Sequence, residues 1–331
     1  MTTAPTLDVV ALGHPLVDVL AHETGDIVAG THVERGAMTM VDAARSDEIY
    51  AQLGPAQETS GGSAANTAVG VASFGGRAAF IGRIADDTFG KVFAHDLRSA
   101  GVEFDVSPAT DGSPTGRCLV IVAADAERTM CTYLGAGAEI DPRDVDADRI
   151  ASAAVTYLEG YLWDEPAAKD AIRRAASLAH EAGRKVALTL SDPFCVERHR
   201  DEFRTLVEHD VDVLFANEHE ITMLYEVDGF DDAARRVADA CEIAALTCGP
   251  RGSVIVGRGE RHTVNAVPVE RLVDTTGAGD LYAAGFLFGL THGHDLAACG
   301  RLASLAAAEV ISHLGARPEA SLADRAAALL A

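Results

Sequence analysis

The sequence predicts an α/β fold in which a mostly parallel sheet is flanked by helices and carries a small β lid. Three observations predict it. Short β-branched or apolar runs alternate with amphipathic stretches for most of the chain, a pattern of parallel strands joined by crossover helices. Two stretches break that rhythm and read as added strands: GAMTMVD (36–42) and GRCLVIVAADAERTMCTYLG (116–135). No long linker, repeat or low-complexity tract interrupts the 331 residues, so one domain with a lid accounts for the chain.

The strands expected for the sheet are LDVVALG (7–13), AAFIGRI (78–84), AVTYLEG (154–160), KVALTLS (185–191), VDVLFAN (211–217) and IAALTCG (243–249). Helix-period segments lie between them at 63–75, 89–101 and 166–183. Residues 116–135 read as a hairpin that turns at Asp125–Ala126. VPVERLV (267–273) reads as a further strand, followed by an apolar helix after Asp280. Strands inserted beside a doubly wound sheet often cover its active edge. The expected division is therefore 1–15, 42–114 and 137–331 for the α/β core, with 16–41 and 115–136 for the lid.

A composition of 48% hydrophobic and 23% charged residues is that of a globular protein. The formal net charge of −23 argues against nucleic acid or an anionic membrane as partner, because either demands a basic footprint. A phosphate-bearing ligand must then be met by backbone dipoles, arginines or a metal, since the lysines are only Lys91, Lys169 and Lys185. The six cysteines include no C-x-x-C pair, which suggests free thiols in a reducing cytoplasm. Without a basic-then-apolar leader or an apolar run of bilayer length, the expectation is a cytoplasmic protein. The P-loop pattern is missing, and no G-x-G-x-x-G follows the first strand, so both of those nucleotide-binding readings fail.

The most informative stretch is DTTGAGDLYAAGFLFGL, from Asp274 to Leu290. Gly277, Ala278 and Gly279 stand where a turn opens into a helix, whose first amides have no intrahelical partner. Such an N-terminus favours anions by roughly 0.3–1 kcal/mol, and up to ~2 when partly buried. Small side chains let a phosphate approach the backbone closely. Asp280 at the mouth of that anion hole would repel the phosphate. The repulsion is acceptable if the carboxylate takes a proton from an attacking hydroxyl, assistance typically worth ~10²–10⁴ in rate. A plain capping turn, with Thr276 or Asp280 as N-cap, is the competing reading. A second glycine turn, ETSGGSAANTAVG, passes through Gly61 and Gly62 into a small-residue helix with Asn66 one turn inside. A polyhydroxylated ligand can lie on that backbone with Asn66 bonding a hydroxyl; otherwise this is a tight turn with an interior Asn. Asp18, a polar break within GHPLVDVLA (13–21), can clamp a ribose-like diol with both oxygens.

Together these residues resemble the PfkB/ribokinase family of carbohydrate and nucleoside kinases. GGSAANTA resembles its N-terminal signature and DTTGAGDLYAAGF its C-terminal one, and the resemblance spans roughly residues 7–318. It implies a ribokinase-like fold and an ATP- and Mg²⁺-dependent kinase. Asp280 becomes the catalytic base, and Gly277, Ala278 and Gly279 become the anion hole for the migrating phosphoryl group. Asp18, Gly61, Gly62 and Asn66 become acceptor ligands. FANEHEI (215–221) resembles the family's N-x-x-E element, so Asn217 and Glu220 would organise Mg²⁺ and the ATP phosphates from one helix face. Without the resemblance, those two would read as an exposed helix start. TCGPRG (247–252) resembles the nucleotide loop, with Thr247, Gly249 and Gly252 near ATP. Arg128, in ERTMCTYLGA (127–136), would reach the phosphates when the lid shuts. Some members also bind a potassium-like ion beside the anion hole, to which Asp274, Thr276 and the loop near Gly315 would contribute.

The residue after the double glycine bears on the acceptor. Ribokinase-like members tend to show Lys there and adenosine kinase-like members Ser; this chain has Ser63. GHPLVDV also resembles the adenosine kinase opening, with His14 where Asn is usual. Histidine offers similar hydrogen-bonding capacity in a larger, titratable ring, which can retune acceptor choice. Tyr133, Leu134, Leu16, Met38 and GYLW (160–163) either contact a nucleobase or pack the core and lid. The implied reaction is phosphorylation of a ribonucleoside 5′-hydroxyl, adenosine to AMP. A ribokinase- or fructokinase-like sugar kinase and a non-catalytic nucleoside-binding protein are the rivals. The implied partners are small molecules, with the chain a monomer or homodimer.

Overall fold

A computed structural model describes residues 4–22, 33–123 and 128–330. In chain order its first strands are β1 (Leu7–Leu12), β2 (Leu16–His22), β3 (Met38–Met40), β4 (Ala56–Gly61), β5 (Ala78–Ile81), β6 (Thr115–Val122) and β7 (Arg128–Gly135). The rest are β8 (Ala153–Glu159), β9 (Lys185–Thr189), β10 (Val213–Asn217), β11 (Ile243–Thr247), β12 (Ser253–Gly257) and β13 (Glu260–Val264). Eight of them form one sheet in the order β13-β12-β11-β10-β9-β8-β1-β5. From β5 to β11 the pairs are parallel, and β12 and β13 extend the far edge antiparallel. The six expected sheet strands are thus β1, β5, β8, β9, β10 and β11.

Helices cover both faces, so the central strands are buried on both sides and read as continuous apolar runs. Strand β1 demonstrates the two-residue period: Val9 and Ala11 join one core while Val10 and Leu12 join the other. The first core packs under the helices Ser63–Ser73, Ala278–Thr291 and Leu296–Val310, the second under Pro166–Glu181 and Pro193–His209. The helix Ala278–Thr291 is apolar on every side because it lies between Ser63–Ser73, Leu296–Val310 and the sheet.

A second sheet, ordered β3-β7-β6-β2-β4, forms the lid. Strands β6 and β7 pair antiparallel, Val122 opposite Arg128, as the hairpin reading requires; its turn at Asp125–Ala126 lies outside the described residues. Two expectations are corrected. Residues 56–61 fall in the stretch assigned to the core, yet β4 pairs antiparallel with β2, Leu16 opposite Gly61. That pairing satisfies a β2 edge that would otherwise expose its amides and carbonyls. Residues 267–273 form no strand. Pro268 has no amide hydrogen for a ladder, and Leu272 and Val273 stay exposed. The Val273 amide instead donates to Ile311 O at 2.9 Å, tying the segment to the end of the helix Leu296–Val310.

Candidate active site

Side chains at the C-terminal ends of parallel strands converge on a cavity beneath the lid. His14 follows β1, Glu159 ends β8, Ser191 and Asp192 follow β9, Asn217 ends β10 and Thr247 ends β11; all six line it. The lid contributes a row read directly from strand register, in which Met40, Thr132, Cys118 and Asp18 lie side by side across β3, β7, β6 and β2. The cavity volume is about 680 Å³, within the ~300–1,000 Å³ of small-molecule sites.

Asp280 lies in the first turn of the helix Ala278–Thr291, on the cavity floor. One carboxylate oxygen accepts from Ser63 Oγ at 2.6 Å and the other from Asn66 Nδ2 at 3.0 Å. The Thr67 hydroxyl donates to the Asp280 carbonyl at 3.1 Å, which locks the two helix N-termini together. Enclosure by protein pushes the Asp280 carboxyl up to about 6 against the two donors that pull it down, and Glu159 adds a further upward push. Gly277, the helix N-cap, holds φ at 78°, and a Cβ there would stand 2.8 Å from Ala316. Only glycine meets that turn without strain. Gly62 likewise caps the helix Ser63–Ser73 at φ 97°, its Cα facing the His14 carbonyl.

Asp18 faces Asp280 across the cavity. Burial raises its carboxyl to about 6; Arg317 is the largest opposing influence, Asp280 pushes further up and Arg128 pulls down. Arg317 also donates from Nε to Asn66 Oδ1 at 3.3 Å, and its Nη2 is buried without a hydrogen-bond partner among the described residues. Burial lowers its guanidinium to about 10, against the pull of Asp18. One fixed cation therefore links Asp18 and Asn66.

His14 is held by Glu159, which is buried at 1% exposure. The Glu159 carboxylate accepts the His14 amide at 2.7 Å, pairs with His14 Nδ1 at 2.9 Å and accepts the Ala64 amide at 2.9 Å. Those contacts join the ends of β1 and β8 to the helix that presents Ser63 and Asn66. On the opposite side, Asn217 caps the helix Glu218–Tyr225 and Glu220 returns the contact, its Oε2 accepting the Asn217 amide at 2.9 Å. Desolvation lifts the Glu220 carboxyl to about 7; the Asn217 amide lowers it and Asp192 raises it.

The model of the pfkB family carbohydrate kinases matches residues 37–322. The chain belongs to the PfkB family. As a member it is an ATP-dependent phosphotransferase with the ribokinase-like fold. The solved adenosine kinase of Sinorhizobium meliloti is 49% identical to it, with a TM-score of 0.90 over 98% of this chain and 99% of that one. A probable sugar kinase of Rhizobium etli CFN 42 is 46% identical, with a TM-score of 0.91 and the same coverage of 98% and 99%. Adenosine kinase of Saccharomyces cerevisiae is 29% identical over 314 residues, 88% of this chain and 91% of its own.

In this PfkB kinase the cavity gathers His14, Asp18, Gly62, Ser63, Asn66, Leu134, Asn217, Glu220, Thr247, Thr276, Gly277, Ala278, Gly279 and Asp280. Gly61, Arg128, Gly249, Gly252 and Asp274 do not line it. Gly61 packs beneath the Asp18 carboxylate, while Gly249 and Gly252 close the turn beyond Thr247. Asp274 and Thr276, expected to contribute to a potassium-like ion site, have protein partners of their own here. Asp274 Oδ1 accepts the Thr276 amide at 3.1 Å and hydroxyl at 2.8 Å. Its Oδ2 accepts the Gly315 amide at 2.9 Å and meets Arg128 Nη1 at 2.6 Å. Every group converging on that carboxylate is a donor. Sequence reasoning also missed Glu159 and Arg317. Glu159 left one signal, a charge ending the apolar run AVTYLE; Arg317, in a loop after the last core helix, left none.

Proposed function

We propose that this chain transfers the γ-phosphoryl group of ATP to the 5′-hydroxyl of adenosine. The Ser63–Asp280–Asn66 constellation carries the reading: a cavity-facing carboxylate of raised basicity, oriented by two donors in the first turn of a helix. Asp280 accepts the proton of the attacking hydroxyl, and a carboxyl near 6 is ionised at neutral pH while still able to take that proton. The turn of Gly277, Ala278 and Gly279 supplies the amides for the charge that develops on the transferring group; that of Ala278 donates to the Thr275 carbonyl at 3.2 Å and must be released to take part. Asp18, with Arg317 behind it, takes the ribose diol alongside Gly62 and Asn66. His14 and Leu134 shape the acceptor end.

ATP lies along the C-terminal edge of the sheet toward Thr247 and the Gly249–Gly252 turn. Arg128 Nη2, buried and without a hydrogen-bond partner among the described residues, is a donor available to the phosphates. Glu220 suits Mg²⁺, since a carboxylate is a ligand that cation takes directly or through water, and Asn217, whose Oδ1 accepts the His219 and Glu220 amides, would hold Glu220 in place for it. When bound, the ion offsets phosphate charge. Closure of the lid over the cavity excludes water, which an ATP-using site requires.

A nucleoside fits better than a bare sugar because the cavity has an apolar wall. Met38, Met40 and Phe194 line it at 46%, 53% and 69% exposure, beside Leu16 and Leu134. A base covers that surface and ribose alone leaves it wet. The likeness to the Sinorhizobium meliloti adenosine kinase supports the same acceptor. The test is ADP release from ATP·Mg²⁺ with adenosine, inosine, ribose and fructose in turn. Adenosine-dependent turnover is expected. Turnover on ribose or fructose alone would overturn the nucleoside reading, and adenosine binding without turnover would overturn catalysis.

A further inference from the structure

We propose that the guanidinium of Arg128 takes the place of a monovalent cation at the anion-hole loop, so that this kinase turns over without potassium. Arg128 is then a positioning residue as well as a phosphate donor: it acts on the transferring group through Asp274 and the loop that Asp274 holds.

The argument rests on the chemistry of the donor set. An alkali cation needs oxygens aimed at it, carboxylate or carbonyl. Around Asp274 the loop 274–277 and the neighbouring loop at Gly315 aim hydrogens. The Thr276 amide, the Thr276 hydroxyl and the Gly315 amide all donate to the Asp274 carboxylate. The remaining position is filled by Arg128 Nη1 at 2.6 Å, with a longer contact to Thr276 Oγ1 at 3.4 Å. The pair is well enclosed, the side chains being 15% and 5% exposed. A guanidinium carries the single positive charge that a potassium ion would bring, and brings it as hydrogen-bond donors that a carboxylate accepts directly.

The consequence for the site is mechanical. Asp274 fixes Thr276 and Gly315, and the Gly315 loop carries Ala316, which lies against Gly277. Arg128 opens strand β7 of the lid. The same ion pair therefore joins the lid to the turn whose amides form the anion hole. Potassium could stabilise that turn but could not couple it to the lid.

The test compares potassium chloride with tetramethylammonium chloride at constant ionic strength, using wild type, Arg128→Met and Arg128→Lys. Turnover and thermal midpoint are both recorded. For the wild type, turnover in the two salts should agree within about twofold, the scale of non-specific salt effects. Arg128→Met should lose turnover, and potassium but not tetramethylammonium should restore part of it and raise the midpoint. Arg128→Lys, which keeps a compact cation, should retain more turnover than Arg128→Met in tetramethylammonium. A wild type that loses about tenfold or more of its turnover without potassium, or whose midpoint potassium raises specifically, would overturn the proposal. So would an Arg128→Met midpoint indifferent to potassium, because Asp274 would then be no cation locus at all. The turnover arm rests on the kinase reading, whereas the thermal arm does not. If no acceptor is phosphorylated, the midpoints alone still decide the cation question.

Discussion

Replacing Asp280 by Asn separates catalysis from folding in one substitution. The wild-type carboxyl is pushed from 3.8 to about 6, chiefly by burial. At ~1.4 kcal/mol per pH unit, ionising it in the folded state costs about 3 kcal/mol, an upper figure because the group faces the cavity. Asn removes that cost. Its amide oxygen can still accept from Asn66 Nδ2 while its NH2 donates to Ser63 Oγ, but both contacts become neutral hydrogen bonds, weaker than the charge-assisted ones by ~1 kcal/mol each. The two effects oppose each other, so the variant should be about as stable as the wild type at neutral pH. The pH dependence carries the sign. Between about pH 4 and 6 the unfolded carboxyl releases its proton while the folded one keeps it. Wild-type stability therefore falls relative to Asp280→Asn across that window and stays level above it. Turnover is a different matter: loss of the base should lower kcat ~10²–10⁴-fold with little change in nucleoside binding. Steady-state ADP release, calorimetric binding and urea midpoints across that pH window are the assays. A kcat within about tenfold of wild type would refute the base assignment, and a stability difference independent of pH would refute the burial argument.

Other outcomes follow from the same geometry. Wild-type kcat should fall on the acid side as Asp280 protonates below about pH 6, a limb absent from Asp280→Asn. Gly277→Ala puts a methyl group at φ 78° against Ala316 and should cost ~1–3 kcal/mol of stability, together with turnover, measurable by denaturant melts and kinetics. Arg317→Met removes the largest charge that favours ionised Asp18 and should raise the KM for nucleoside about tenfold while leaving the KM for ATP near its wild-type value. Glu159→Gln presents an amide to a site that receives two backbone N–H donors, and should destabilise the fold by ~1–3 kcal/mol in chemical denaturation.

The alternation of apolar runs and helix-period segments was sufficient to mark the six parallel strands, because burial on both faces leaves its mark in each of them, but not the antiparallel edge strands β12 and β13. The two glycine turns were equally legible. A backbone that must take positive φ or approach a ligand leaves few residue choices, so Gly62, Gly277 and the Asp280 after it stand out in a linear reading. The sequence determined less where identity depends on partners far along the chain. VPVERLV had strand-like composition, but whether a strand forms depends on a neighbour to pair with, and that segment meets the end of a helix. β4 joined the lid for the converse reason, since β2 had an edge to offer.

Only the tertiary structure could bring Asp280 within hydrogen-bonding distance of Ser63 and Asn66, more than two hundred residues earlier. It likewise decided that Glu159 holds His14, that Arg317 stands behind Asp18, and that Arg128 pairs with Asp274. Local physics selects a residue for its own backbone and its own face of a helix or strand. The partner of a buried charge is selected by the solvation it has lost, and which groups share that loss is set by chain topology.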